Sequence, residues 1–199
     1  DTWPPGARMQ QYPSYLNLAP DDWAERLAAA RRLLAPCTLC PRQCRVDRLA
    51  GETGFCGGGA LARVASAGPH FGEERALVGR GGSGTVFLSG CNLGCLFCQN
   101  YHISHHLVGE AVAAQGLVGI MLSLQRQGCH NINFVTPTHF LPQVLEAVRA
   151  AIPLGLHLPI VYNCGGYEAL AALRLLEGVV DIYMPDAKFL DAGVAQRLC

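Results

Sequence analysis

The chain has 199 residues, half of them hydrophobic and only 15% charged, with 15 Lys plus Arg against 15 Asp plus Glu. That composition can bury a sizeable core, which excludes a largely disordered protein, and without a basic excess we expect no nucleic-acid partner. No apolar run approaches the ~20 residues that span a bilayer, and residues 1–5 lack the features of a secretory signal, so we expect a cytoplasmic protein with no membrane partner.

The N-terminal part of the chain is predicted to hold one helix and a cysteine-rich segment. Residues 1–20 are rich in Pro and Tyr and are typical of an extended arm. A helical pattern covers residues 23–34, with acidic residues before it and arginines near its end, an order that suits the helix dipole. Residues 37–60 are rich in Cys and Gly with weak periodicity, which indicates a small metal-organised knuckle, and residues 61–65 are predicted to form a short strand.

From residue 84 onward, apolar strand-like runs alternate with helical patterns. Strands are predicted at residues 85–88, 131–135, 159–162 and 180–184, and helices at residues 110–126, 140–151, 167–176 and from about 191. Such alternation is typical of βαβ units around a parallel sheet, so the fold class is α/β, a partial (βα) barrel of about four units. We therefore expect an N-terminal arm and helix (1–36), a Cys-rich element with a Gly-rich linker (37–83) and a partial barrel (84–199) whose natural domain continues further.

Polar or glycine-rich segments follow each predicted strand at its C-terminal end. They are residues 89–91, 136–139, 163–166 and 185–188. In parallel α/β folds this edge of the sheet is where ligands bind. One such turn alone would be ordinary turn chemistry, but four that bring polar groups to one rim predict a ligand site there.

Seven of the ten cysteines fall into two tight groups. A disulfide-stapled secreted protein is a poor alternative, because such proteins are usually short and poor in core residues. The first cysteine group has the spacing C-x3-C-x2-C directly after a predicted strand and consists of Cys91, Cys95 and Cys98. Three thiolates on one short loop can hold an iron–sulfur cube and leave one iron open for substrate chemistry. Zinc is the alternative metal, but the sequence offers no partner histidine at zinc spacing.

The second cysteine group has the spacing C-x2-C-x3-C-x11-C and consists of Cys37, Cys40, Cys44 and Cys56. Four thiols can form a closed site, either a Zn(Cys)4 site or an auxiliary iron–sulfur cluster, that holds the segment together or relays electrons. Simple buried thiols beside a loop are the other interpretation, which the tight spacing disfavours. The histidines that follow the first group are expected to be ordinary polar residues of a loop: His102, His105 and His106.

The first cysteine group resembles the motif of the radical SAM superfamily, with Phe97 at the aromatic position before the third cysteine. An uncharacterised branch of homologues of the pyruvate formate-lyase activating enzyme is similar to residues 37–44, 51–56, 83–101, 131–140, 162–168 and 181–188. The resemblance implies a barrel of the radical SAM type with a [4Fe–4S] cluster on the first group. It also implies that the cluster reductively cleaves S-adenosylmethionine (SAM) to a 5′-deoxyadenosyl radical, which abstracts hydrogen from a substrate.

The same resemblance implies which residues contact SAM. Asp186 and Lys188 match an Asp-x-Lys pattern after the fourth strand, where the lysine would pair with the SAM carboxylate. An ion pair between Lys188 and Asp186 is the alternative. In the family a Gly-Gly-Glu segment follows the second strand, and this chain has a different sequence at that place. Asn163 matches the family's Asn turn after the third strand. The candidate SAM contacts besides Asp186 and Lys188 are therefore Phe97, Thr136, Thr138, His139 and Asn163.

For partners, the resemblance implies a protein substrate, a glycyl radical enzyme, and an electron donor such as flavodoxin or ferredoxin. A small molecule or another peptide remains open as the substrate. The alternative from a different class is a non-catalytic iron–sulfur electron-transfer protein or a zinc-stapled binding protein, in which the polar residues of the rim would be incidental.

Overall fold

A six-stranded mixed sheet forms the centre of the protein in a computed structural model that describes residues 11–199. The strands are β1 (Ala62–His70), β2 (Ser83–Leu88), β3 (Glu110–Val112), β4 (Ile132–Val135), β5 (Ile160–Cys164) and β6 (Ile182–Pro185). Their order in the sheet is β3-β1-β2-β4-β5-β6. The predicted arm at residues 1–20 lies partly outside the described residues, and the described portion includes a 3-10 turn at Ser14–Asn17.

Seven α-helices accompany the strands within residues 11–199. They are α1 (Pro20–Arg32), α2 (Arg75–Val78), α3 (Tyr101–His106), α4 (Ala114–Arg126), α5 (Leu141–Ala151), α6 (Leu170–Leu176) and α7 (Ala192–Leu198). Short 3-10 turns at Thr138–Phe140 and Ile152–Leu154 flank α5. Among these helices none is long and apolar enough to cross a membrane. The mixed α/β class is confirmed.

Four parallel neighbours, β2, β4, β5 and β6, form the larger part of the sheet, as the alternating pattern predicts. The register aligns Phe134 with Val86 on one side and with Tyr162 on the other, and all three side chains are buried. Because side chains in register share one face of a sheet, these three form a continuous apolar row on the face that belongs to the main core. Because the four strands run in one direction, their C-terminal ends meet at one rim of the sheet.

The remaining part of the sheet, β1 and β3, differs from the prediction. Strand β1 is longer than expected and runs antiparallel to both β2 and β3. The expected helix start at residue 110 is wrong, because residues 110–112 pair with residues 62–64 and α4 begins only at Ala114. The turn at Gly109, with φ 91°, brings this short segment to the free edge of β1, and that pairing outweighs local helix propensity.

The core lies between the sheet and the helices α1, α4 and α5. Apolar residues at helical spacing, among them Leu117, Met121 and Leu124 of α4 and Leu145 and Val148 of α5, are almost fully buried. Each such side chain contributes about 1.5–3 kcal/mol of transfer free energy. This packing fixes the strands, and with them the rim that holds the polar turns.

The second cysteine group lies in a segment that we call the cysteine knuckle, residues 37–56. It contains neither helix nor strand, in keeping with its weak periodicity. Backbone hydrogen bonds from the N–H of Cys37 to the carbonyl of Val46 (2.8 Å) and from the N–H of Arg45 to the carbonyl of Cys37 (3.0 Å) fold it back on itself. Gln43 and Arg45 have positive φ (43° and 62°), a conformation that side chains rarely adopt and that needs outside support.

Candidate metal centre and ligand cavity

The first cysteine group lies on the loop that follows β2, at the C-terminal rim of the parallel strands. Gly90 opens the loop with φ 88°, and a Cβ there would collide with the carbonyl oxygen of Cys56. Only glycine allows this turn together with such close approach of two backbone segments. The loop is thereby held against the cysteine knuckle from its first residue.

Hydrogen-bond donors face two of the three sulfurs. The N–H of Leu93 donates to Sγ of Cys91 and the hydroxyl of Ser104 donates to Sγ of Cys98, both at 3.3 Å. Burial raises the pKa of Cys91, and burial together with a neighbouring thiol raises that of Cys95 to about 12. The raised pKa values keep Cys91 and Cys95 as thiols; a metal bound here would have to displace their protons, and the donors facing the sulfurs would then stabilise the thiolates.

A cavity of about 840 Å³ lies beside the loop, and all three cysteines of the first group line it. Its volume suits a ligand of the size of a nucleoside or a typical cofactor. Five of the seven proposed SAM contacts also line it, namely Phe97, Thr136, Asn163, Asp186 and Lys188. Thr136 has φ 56°, rare for a β-branched residue, and such strain is concentrated at functional sites.

Thr138 and His139 do not line this cavity, in contrast to the expectation. The 3-10 turn after Pro137 points both side chains below the rim, where they are buried. The Thr138 hydroxyl donates to Oε1 of Glu168 (2.7 Å), and Nε2 of His139 is hydrogen-bonded to the carbonyl of Ser89 (2.8 Å). These two residues support the rim and the start of the cysteine loop.

Lys188 and Asp186 form the ion pair that the sequence leaves as an alternative, with Nζ and Oδ2 2.5 Å apart. Burial alone would lower the pKa of Lys188, but the hydrogen bond and charge of Asp186 outweigh it and raise the pKa. Lys188 stays cationic at the edge of the cavity. Beside the pair, the rings of Phe97 and Phe189 meet edge to face with centroids 5.7 Å apart, which links the cysteine loop to the segment after β6.

Glu168 is a site residue that sequence reasoning missed. Its carboxylate accepts hydrogen bonds from the hydroxyls of Thr138 (2.7 Å) and Tyr162 (3.1 Å), and burial raises its pKa. Just before it, the carbonyl of Tyr167 accepts a hydrogen bond from the side-chain amide of Asn92 in the cysteine loop (2.7 Å). Glu168 thus ties together the turns after β4 and β5, and nothing in its local sequence signals that role.

A fourth thiol, that of Cys199, also reaches the first group. Its Sγ lies 3.0 Å from Sγ of Cys95, and the N–H of Leu96 donates to the carbonyl of Leu198 (2.9 Å). The C-terminal end of α7 therefore rests on the cysteine loop. Because Cys199 is 104 residues from Cys95 in the chain, motif spacing carries no signal for this contact.

The histidines after the first group lie on the short helix α3 and not on a loop. The ring of His105 stacks on that of Tyr101, with centroids 4.1 Å apart. Its Nδ1 is 2.7 Å from the Ser104 hydroxyl, which in turn bonds to Cys98. His102 and His106 are exposed, in keeping with ordinary polar residues, whereas His105 orients a donor to a cysteine of the site.

The second cysteine group lines a separate cavity of only about 10 Å³. Within residues 11–199, no three or more His, Cys, Asp or Glu side chains are drawn together tightly enough to hold a metal ion as they stand. Sulfurs around one tetrahedral zinc ion lie roughly 3.8 Å apart, which follows from a zinc–sulfur distance of ~2.3 Å. The first group, by contrast, faces open space in which a larger iron–sulfur cube has room.

The chain is similar to an uncharacterised protein of Methanocaldococcus jannaschii, MJ0674, with 31% identity over 186 residues. The match covers 87% of this chain and 51% of the relative, so the chain spans about half the length of the protein that it matches. No protein-family model matches the chain, and no solved structure does. Because the relative is uncharacterised, the function is argued from the site.

Proposed function

We propose that this chain is the cluster-binding part of a radical SAM enzyme, similar to the enzymes that activate glycyl radical enzymes. The observation that carries the proposal is the position of the first cysteine group. Its three cysteines share one cavity with Asn163, Asp186 and Lys188, which come from the ends of β5 and β6. These are positions that the family resemblance assigns to SAM. The donor set of three thiols, two of them facing hydrogen-bond donors, fits a [4Fe–4S] cluster with one iron open.

In this proposal Cys91, Cys95 and Cys98 hold the cluster. When bound, the cluster supplies the electron that cleaves SAM to methionine and the 5′-deoxyadenosyl radical. The ammonium of Lys188 meets the carboxylate of SAM, and Asp186 keeps that ammonium charged and in place. Phe97, which lines the cavity, contacts SAM, and Phe189 packs against its ring edge to face.

The substrate and partners of the full-length protein follow from the same proposal. A protein substrate, namely a glycyl radical enzyme, would approach the open side of the cavity, and flavodoxin or ferredoxin would deliver the electron. A barrel of the radical SAM type would place further strands beside β6, which is an edge of the sheet in the described residues. Such strands would close the cavity on the side of Asp186 and Lys188.

The decisive experiment is anaerobic reconstitution of the full-length protein with iron and sulfide, followed by dithionite and SAM. We expect 5′-deoxyadenosine to form, and Cys95→Ala to abolish it together with most of the iron. Cys129→Ser is the matched control, because Cys129 is a buried cysteine outside both groups and should leave product formation intact. Protein with about four irons per chain that yields no 5′-deoxyadenosine would contradict the proposal.

The contact between Cys199 and Cys95 favours a second candidate, a closed four-thiolate cluster or zinc site without catalysis. The variant Cys199→Ser separates the two. If three cysteines hold the cluster, the variant keeps about four irons and forms 5′-deoxyadenosine as the wild type does. If Cys199 is the fourth ligand, the wild type forms no product and the variant loses iron.

A further inference from the structure

The four thiols of the second cysteine group come from different turns of the knuckle but line one small cavity. Cys37 and Cys40 are buried, and Cys44 and Cys56 are partly buried. A volume of about 10 Å³ is close to that of one water-sized sphere. Such a small space favours a single ion over the larger iron–sulfur cube.

The surroundings of the sulfurs suit a metal thiolate. The N–H of Gly58 donates to Sγ of Cys56 (3.4 Å). A Cβ on Gly54 would lie 2.8 Å from Sγ of Cys44, so glycine lets the backbone pass close to that sulfur. Two arginines, Arg42 and Arg48, line the same cavity and offset the negative charge that four thiolates leave around a divalent ion.

The knuckle is joined directly to the loop of the first cysteine group by Arg42. Its Nε donates to the carbonyl of Asn92 (2.5 Å) and its terminal nitrogen to that of Leu93 (2.7 Å). The guanidinium also lies 3.4 Å from the centre of the Phe55 ring, which holds it in place. Asn92 and Leu93 are the residues between Cys91 and the turn that leads to Cys95, so Arg42 fixes the path of the chain between two cysteines.

Arg48 makes a second connection and is almost fully buried. It donates to the carbonyl of His139 (2.7 Å) and to that of Gly59 (2.7 Å). The imidazole of His139 is hydrogen-bonded to the carbonyl of Ser89, at the start of the first cysteine loop. The knuckle therefore holds that loop at two places, although it has no helix or strand of its own.

From these contacts we propose that Cys37, Cys40, Cys44 and Cys56 form a structural zinc site, and that Arg42 is a positioning residue through which this site sets the geometry of the first cysteine loop. Zinc binding draws the four sulfurs inward as their protons leave. The zinc site is independent of the proposed function. The role of Arg42 in catalysis rests on the proposed function.

Metal analysis of a variant without the first group tests the zinc site. Full-length Cys91→Ala/Cys95→Ala/Cys98→Ala should retain one zinc per chain and no iron. Adding Cys40→Ala should remove the zinc. Cobalt(II) offered to the triple variant should give the absorption of a tetrahedral thiolate complex, which reports the ligands without any need for activity. A triple variant that is folded by circular dichroism but binds no zinc, or binds iron with sulfide, overturns the proposal.

This result is separate from the outcome for the proposed function. If the wild type forms no 5′-deoxyadenosine, the proposed function is overturned, but the zinc content expected of the triple variant stays the same. Conversely, if the wild type cleaves SAM but the triple variant binds no metal, the proposed function stands and the proposed zinc site is overturned.

The variant Arg42→Lys tests the positioning role, because lysine keeps the charge but cannot donate to two carbonyls in one plane. We expect it to retain zinc and iron, to alter the EPR signal of the reduced cluster with SAM bound, and to slow 5′-deoxyadenosine formation about tenfold. Arg45→Lys, on an exposed arginine of the same knuckle, is the matched control and should behave as the wild type. An unchanged EPR signal and rate in Arg42→Lys, or loss of zinc from it, overturns the positioning role.

Discussion

Ser104 has one hydroxyl proton, which reaches Sγ of Cys98 (3.3 Å) when Nδ1 of His105 (2.7 Å) carries a hydrogen and donates to the hydroxyl oxygen. Hydrogen bonds to the sulfurs of an iron–sulfur cluster raise its reduction potential, because they stabilise the more negative reduced state. In the proposed enzyme the serine would therefore help the cluster to accept an electron.

Replacement of this serine gives a first prediction. Ser104→Ala should lower the reduction potential of the cluster on the order of tens of millivolts, the equivalent of part of one hydrogen bond. An EPR-monitored redox titration measures the shift. Ser123→Ala, which removes a hydroxyl on α4, serves as the control. A potential equal to that of the wild type would show that the Ser104 hydroxyl does not contact a cluster ligand.

A second prediction is that the protonation of His139 makes the stability of the protein depend on pH. Burial lowers the pKa of its imidazole to about 4, and its Nδ1 has no hydrogen-bond partner among the described residues. The unfolded chain binds a proton near pH 6.5, whereas the folded protein does so only near pH 4. Stability is therefore lost as the pH falls through this window, about 2 kcal/mol between pH 7 and pH 5.

Urea unfolding of the wild type and of His139→Gln at both pH values measures this effect. The glutamine amide can still donate to the carbonyl of Ser89, but it does not titrate. The variant should lose about 2 kcal/mol less than the wild type between pH 7 and pH 5. Equal losses in the two proteins would assign the pH dependence to other groups.

Local spacing decides which site residues could be predicted from the sequence. Cys91, Cys95 and Cys98 lie within eight residues of one another, so their pattern is visible before folding. Glu168 and Cys199 reach the site only through the packing of β5 and α7, and no periodicity reports that. The sequence also could not tell a histidine that lines the rim from one that supports it from below.

At the scale of elements, the polar turns after β4 and β5 act as one unit because Glu168 joins them. Removal of its carboxylate leaves two buried hydroxyls, of Thr138 and Tyr162, without their acceptor. Glu168→Ala should therefore destabilise the protein by about 2 kcal/mol, measured by urea unfolding at pH 7. Glu168→Gln, whose amide oxygen still accepts one hydrogen bond, should lower the free energy of unfolding by less than Glu168→Ala does. A Glu168→Ala variant as stable as the wild type would show that the two turns are held by other contacts.

The parallel strands could be predicted because each is a largely apolar run followed by a polar turn, with one face packed against helices and the other toward the cavity. Strand β3 could not, since residues 110–112 form a strand only by pairing with β1. The short helices α2 and α3 were missed for a related reason. With four and six residues, they are too short to show a helical period.

At the scale of the whole molecule, the two cysteine groups predict a metal stoichiometry. The reconstituted full-length protein should contain about four irons, about four sulfides and one zinc per chain. Elemental analysis with a sulfide assay measures all three. About eight irons without zinc would mean that the knuckle holds a second iron–sulfur cluster and would contradict the zinc site.

Alternation of strands and helices was enough to predict the α/β class, because each unit of that pattern is local. The order of the strands in the sheet was harder to predict from the sequence, since it depends on which strand edges meet after folding. The addition of β1 and β3 to the side of β2 is a long-range event of this kind.

Strand β6 has consequences for handling the protein. It is four residues long, lies at an edge of the sheet and leaves Tyr183 partly exposed. Backbone groups on such an edge can pair with a second molecule, and the shortness of the strand and Pro185, which has no N–H, limit this pairing. We therefore expect self-association only at high protein concentration, so purification is best carried out in dilute solution.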